Sequence, residues 1–449
     1  MDRRNQLDTK IVYILLIILI FSVISFGAVE IWSLTIVEFS IFTVFIFYLI
    51  VIIQYKYANQ NPEREQVKEE KYLLIVLLGF IAYILIQTLP MPAPFLRFIS
   101  PKSYEIYSFY SVEKVPSMSI SLYTYKTKFE FVRSLSYFVF LILIIQSIRN
   151  RMSLERMLKI MCYFGFALAV FAIIQKATWN GKIYWLRELT TGGTPFGPFV
   201  NRNHYAGLMG MLIPLSLGLA LTRERFARKI LFGFLGLIMA VSLFLSLSRA
   251  GIISFFAGVS IFTLFLFWNK LRRKKVLVIP VFLFILFLYL LYLGIDPVID
   301  RFYQTDITKE ARFKLWSETM SAFKDFYLTG SGMGTFIYLY PLYSKESFST
   351  IYDHAHNDYI EFMLECGVIG ILLFLLLLYF YIRILLKTDW DSKSGIINLS
   401  LLASVITIAV HSFFDFNLHI PSNALLLSAI IGISVANSRI ISPSLKEED

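Results

Sequence analysis

His354-Ala355-His356-Asn357-Asp358-Tyr359-Ile360-Glu361-Phe362-Met363-Leu364-Glu365-Cys366-Gly367-Val368-Ile369-Gly370 carries the chain from its longest polar stretch straight into an apolar helix. No charged residue occurs from Cys366 to Ile382. A run of that kind belongs in the hydrocarbon of a bilayer, which takes about 20 apolar residues to cross. Asp358 and Glu361 are spaced like a capping pair, so the helix is expected to begin near Asn357 or Asp358. His356 then precedes a helix N-terminus, where free N–H groups and the helix dipole favour an anion. An imidazole at a junction of water and lipid is either a base for a reacting hydroxyl or an interfacial residue that hydrogen-bonds locally.

The rest of the chain agrees with a membrane setting. Of its 449 residues, 57% are hydrophobic and 16% charged, with a mean hydropathy of +0.67; soluble domains carry about 25% charge. The expected fold is therefore an all-α polytopic membrane protein, one integral membrane domain over 1–449. About twelve transmembrane helices are expected, roughly 11–29, 31–54, 72–90, 131–148, 158–175, 204–221, 230–247, 250–268, 276–294, 366–384, 396–412 and 420–437. The two cysteines, Cys162 and Cys366, exclude a disulfide framework and a cysteine zinc site. The formal charge of +11 suggests nucleic acid until its distribution is read. More than half of the 42 Lys and Arg fall in short segments on one side of the spans. That bias predicts both termini in the cytoplasm and no nucleic-acid partner.

Three long pieces are then left to the outer face: 91–130, 176–203 and a large loop, 295–365, between spans nine and ten. Ser117-Met118-Ser119-Ile120-Ser121-Leu122 alternates with period two and is expected to lie extended on the membrane surface. The run Gly330-Ser331-Gly332-Met333-Gly334 fits no phosphate-binding pattern and is expected to be a turn.

Several polar residues collect on that same side. Arg249, in Ser248-Arg249-Ala250-Gly251, is flanked by apolar runs; it either snorkels or binds phosphate oxygens with its fork. Arg312 is either a solvated helix residue or a second phosphate contact. Asn201 and Asn203 either cap the next helix or bond a sugar. The hairpin around Asp415 and His419 is either a supporting network or a capped turn. His411, Asp415 and His419 are spaced four apart, but Pro421 and the turn argue against one helix and hence against a metal.

With these residues in view, a resemblance emerges. His356-Asn357 followed by Gly367 and Gly370 is similar to the signature of the O-antigen ligase superfamily, which includes O-antigen polymerases and protein O-oligosaccharyltransferases. Asn201 to Gly207, Ser248 to Gly251, Gly330 to Gly334 and Asp415 to Pro421 also resemble family segments, from about Thr194 to Asn423. The resemblance implies a GT-C-type glycosyltransferase of the bacterial inner membrane. It would move a glycan from undecaprenyl diphosphate to lipid A-core, or to another glycan or a protein, on the periplasmic face, without metal or cofactor. It assigns His356 as base, Arg249 and Arg312 as the diphosphate-binding pair, and Asn201, Asn203, Asn357, Asp415 and His419 as substrate-binding or supporting residues. The alternative from another class is a glycan flippase or other twelve-helix transporter, whose two halves would show an internal repeat.

Overall fold

The computed structural model describes residues 3–57, 68–111, 117–189, 193–268, 276–303, 307–344 and 352–440. Apolar runs become helices because hydrocarbon offers the backbone no other hydrogen-bond partner. The helices are α1 (Arg3–Ile24), α2 (Ile31–Tyr57), α3 (Lys68–Ile86), α4 (Ala93–Ile99), α5 (Pro101–Tyr110), α6 (Thr124–Ser147), α7 (Arg151–Ala177), α8 (Arg202–Thr222) and α9 (Phe226–Leu245). They continue with α10 (Arg249–Trp268), α11 (Val278–Leu293), α12 (Asp296–Tyr303), α13 (Ile307–Asp325), α14 (Phe336–Leu339), α15 (Asp358–Leu385), α16 (Lys393–His411) and α17 (Pro421–Arg439). The protein is an all-α polytopic membrane protein.

Among the described residues, ten helices are long and apolar enough to cross a membrane: α1, α2, α6 to α10, and α15 to α17. The expected spans at 276–294 and 72–90 differ from simple crossings for two reasons. The first, α11, reaches membrane length only together with α12, from which it is bent by 93°. The second, α3, opens on four charges, Lys68, Glu69, Glu70 and Lys71. The two carboxylates have partners: Glu69 meets Lys387 at the C-terminal end of α15, and Glu70 meets Arg439 at the end of α17. The remainder of α3 packs against α15 and α6.

Helix α8 forms the centre of the bundle, and its whole membrane-length window is buried. It packs against α7, α9, α10, α16 and α17. Without a hydrophobic drive between helices in lipid, close approach depends on small residues. At Gly218 a Cβ would lie 2.5 Å from Ser400 Cβ, and at Gly258 it would lie 2.0 Å from Thr407 Oγ1 and 3.0 Å from the Ala403 carbonyl. We therefore expect Gly258→Leu to force α10 from α16 and to cost at least the ~1–3 kcal/mol of an overpacked core. A thermal midpoint in detergent equal to that of the unaltered protein would contradict this packing.

Two expected loops acquire definite roles. Ser117–Met118 does pair as an extended strand, with Met91–Pro92. It does not lie on the surface, however: Met118, Ser119, Ile120 and Ser121 are buried, with Met118 and Ile120 packed on Leu96 of α4. Backbone bonds hold it there, from Ser121 N–H to the Gln87 carbonyl and from Leu122 N–H to the Ser331 carbonyl. The glycine run is a turn, and it threads through a break in α15. At Gly367 the helix adopts φ 62° and ψ −167°. Ser331 and Gly332 N–H groups donate to the carbonyls of Leu364 and Glu365, while Val368 N–H donates to the Tyr327 carbonyl at 2.7 Å. The Gln87 side-chain amide donates to the Thr329 and Glu365 carbonyls. A Cβ at Gly330 would stand 2.2 Å from the Glu365 oxygen, so only glycine permits the crossing.

Candidate active site

One end of the bundle gathers all five histidines of the chain: His204, His354, His356, His411 and His419. The elements that bring them together are the segment before α15, the start of α8, and the hairpin 412–420 between α16 and α17. Asp358 N–H donates to the Ser412 carbonyl at 2.9 Å and ties the first of these to the third. Asn423 Nδ2 donates to the His204 carbonyl and to Asn417 Oδ1, which ties in the second.

Asn357 is the N-cap of α15, its Oδ1 accepting from the N–H groups of Tyr359 and Ile360. Asp358 is thus the first helical residue, not the cap. Glu361 instead reaches back, its Oε2 accepting from Ala355 N–H at 2.8 Å. This arrangement holds the preceding loop tightly, and His356 adopts a left-handed backbone with φ 50°. Such a conformation is uncommon outside glycine, though histidine is among the residues that tolerate it best. It aims the imidazole at the hairpin, where Nδ1 lies 3.2 Å from Asp415 Oδ1.

Asp415 is fully buried. Burial alone would raise its carboxyl. The hydrogen bond from His356 and the imidazoles of His204 and His411 outweigh that, and hold the group well below the ordinary carboxylate range. An ionised Asp415 can only accept, so in the neutral His356 imidazole the proton sits on Nδ1 and Nε2 carries the lone pair. His419, by contrast, faces other carboxylates. Its Nδ1 is 3.0 Å from Asp358 Oδ1 and its Nε2 is 3.2 Å from Glu361 Oε1. Burial opposes its charge, but Glu361, Asp358 and Glu365 push its imidazolium up to about 10. His411 and His419 therefore do not share Asp415 as a ligand set; the hairpin turns them to different partners.

Arg312 lies on α13, and its Nη1 donates to the Phe414 carbonyl at 3.3 Å, one residue from Asp415. Trp316, one turn further on, donates to the Ala355 carbonyl. Helix α13 thus clasps the His356 segment and the hairpin together. Arg249 stands at the junction of α9 and α10. A turn at Ser246–Ser248, with Leu247 at φ 56°, puts it at the first residue of α10, half-buried, with Nη1 3.4 Å from the Arg301 carbonyl. Asn201 caps α8 through the N–H of Asn203. Asn203 accepts from Ser248 Oγ at 2.7 Å, and that hydroxyl in turn accepts from Gly251 N–H. Asn203 is thus occupied in locking α10 beside α8, whereas Asn201 faces a cavity.

That cavity is a polar chamber of ≈570 Å³ whose walls include Asn201, His354, Glu361, Phe416 and His419. A second, apolar slot of ≈300 Å³ lies among Leu77, Phe80, Phe362, Phe374 and Leu427. The two share Glu130, Arg133, Glu365 and His419. Sequence reasoning missed His354, Glu361, Trp316 and Arg133 as members of the site. The first two stand in the stretch quoted at the outset, but no spacing rule says that they touch His419.

Residues 234–375 match a family model described as O-antigen ligase. This segment is therefore similar to the O-antigen ligase family. The O-antigen ligase match takes in Arg249, Arg312, His356, Asn357, Gly367 and Gly370, and stops short of Asn201 and the Asp415 hairpin. It supports a membrane enzyme of the O-antigen ligase or polymerase type. A search of curated proteins finds no match to the chain.

Proposed function

We propose that the protein transfers a glycan from undecaprenyl diphosphate to an acceptor hydroxyl at the periplasmic face of the inner membrane, in the manner of a GT-C glycosyltransferase. His356 Nε2 takes the proton of the acceptor hydroxyl as its oxygen bonds to the anomeric carbon. The carbon–oxygen bond to phosphate breaks, and undecaprenyl diphosphate leaves with the bonding electrons. A lipid diphosphate is already a stable anion, so it asks for charge stabilisation more than for a proton. Arg312 and Arg249 supply that charge in this reading, and the transfer step draws on no metal.

The observation that carries the proposal is the pairing of His356 with Asp415 while Arg312 rests on the adjoining Phe414 carbonyl. A base and a fork-shaped cation thereby share one hairpin. The polar chamber beside an apolar slot has room for a sugar head and a lipid tail; it is lined by His354 and His419, and His356, Asp415, Arg249 and Arg312 lie outside its lining. The gathering of all the histidines at one end, rather than along a path through the bundle, weighs against a transporter.

Lipid A-core is the acceptor we favour, and surface glycans after deletion of the gene test it. Loss of polymer from lipid A-core is the expected outcome. Shortened chains would indicate a polymerase and unmodified glycoproteins a protein transferase. In a transfer assay, Arg249→Lys and Arg312→Lys should each slow turnover by about tenfold or more, because a point charge replaces a bidentate fork. Full activity in both would remove the arginines from the site.

A further inference from the structure

We propose that His354, Glu361 and His419 form a three-ligand site for a divalent transition metal, best suited to zinc. The inference goes beyond the transfer reaction, because neither His356 nor an arginine is among the ligands. Three separate pieces of chain converge here: the loop before α15, the first turns of α15, and the 3-10 turn Asn417–His419 of the hairpin. The approaching atoms are His354 Nδ1 and His419 Nε2, at 2.8 and 3.2 Å from the same oxygen, Glu361 Oε1. One atom from each residue lies within 4.8 Å of the other two. Tetrahedral zinc with bonds of about 2.0–2.1 Å spaces its ligands by roughly 3.3 Å. The two imidazole nitrogens, separated by up to 4.8 Å, stand wider than that, so binding requires the His354 ring to turn toward His419 around the ion.

Each ligand is also held from behind, as metal ligands are. His419 turns its other nitrogen, Nδ1, to Asp358 Oδ1 at 3.0 Å, an arrangement that fixes the ring and increases the basicity of Nε2. Glu361 Oε2 accepts from Ala355 N–H at 2.8 Å, which leaves Oε1 as the free arm. The His354 ring stacks on Phe416 at 4.3 Å and 24°. Two imidazoles and one carboxylate are a zinc donor set; magnesium and calcium call for oxygens throughout. The fourth position opens on the polar chamber, which all three ligands line.

A metal there would pin the segment that carries His356 to the hairpin that carries Asp415. Its role is positional, and its test is metal content. The full-length protein in detergent, stripped with a chelator, equilibrated with zinc and desalted, should retain one zinc per chain by mass spectrometry. Cobalt in its place should give the visible absorption of a four-coordinate ion. His354→Ala and Glu361→Gln should each weaken zinc retention by at least about tenfold, while His356→Ala should retain the ion. Should Glu361→Gln fail to fold, His354→Ala and the cobalt spectrum of the unaltered protein decide. Substoichiometric zinc in the unaltered protein, an octahedral cobalt spectrum, or undiminished retention in His354→Ala would overturn the site. None of these outcomes bears on whether the protein transfers glycans.

Discussion

His356→Ala is expected to abolish glycan transfer while leaving the amount of protein in the membrane unchanged. A positioned general base contributes about 10²–10⁴-fold, and among the imidazoles only His356 is paired through Nδ1 with Asp415. Both nitrogens of His419 are engaged, Nδ1 by Asp358 and Nε2 by Glu361, and His204 is buried against Phe416. The substitution should be tolerated by the fold because the His356 side chain is only partly buried, and Asp415 Oδ1 keeps the N–H of Phe416. The measurement is transfer from a purified lipid-diphosphate glycan, normalised to protein by immunoblot. Transfer within a few-fold of normal would dispose of the base.

Asp415→Asn should have an effect of similar size. The carboxylate does two things for His356: it holds the proton on Nδ1, and it stabilises the imidazolium that forms when Nε2 accepts a proton. An amide is neutral, and with its NH₂ turned inward it favours the opposite tautomer. In the triads of serine hydrolases that change costs about 10⁴-fold. If the pair acts as one unit, the double variant should be no slower than His356→Ala alone. Additive losses would instead mean that Asp415 supports the fold and not the base.

Much of the site was legible in the sequence because lipid makes polar residues conspicuous. Arg249, Asn201, His356 and Asp415 each stood at the end of an apolar run, and an apolar run can mean little but a crossing. Pairing was not legible. Nothing in the order of residues joins His356 to Asp415 across 59 positions, or shows that Trp316 clasps the loop before α15. The apolar run at α11 looks sufficient for a crossing until it bends by 93° into α12, and no local rule shows that Lys387 and Arg439 meet the charges Glu69 and Glu70 at the start of α3. The period-two pattern of Ser117 to Leu122 correctly signalled extended chain, but a pattern cannot tell a surface from a seam between α4 and the glycine turn.

The gathering of all five histidines at one end has a practical consequence. In a chain of 449 residues, an isotope placed in histidine reports from that end and nowhere else. The imidazole nitrogens therefore form a readout of ten resonances, two from each ring, in which the tautomer of His356 and the charge of His419 can be followed separately, in detergent, without a substrate in hand.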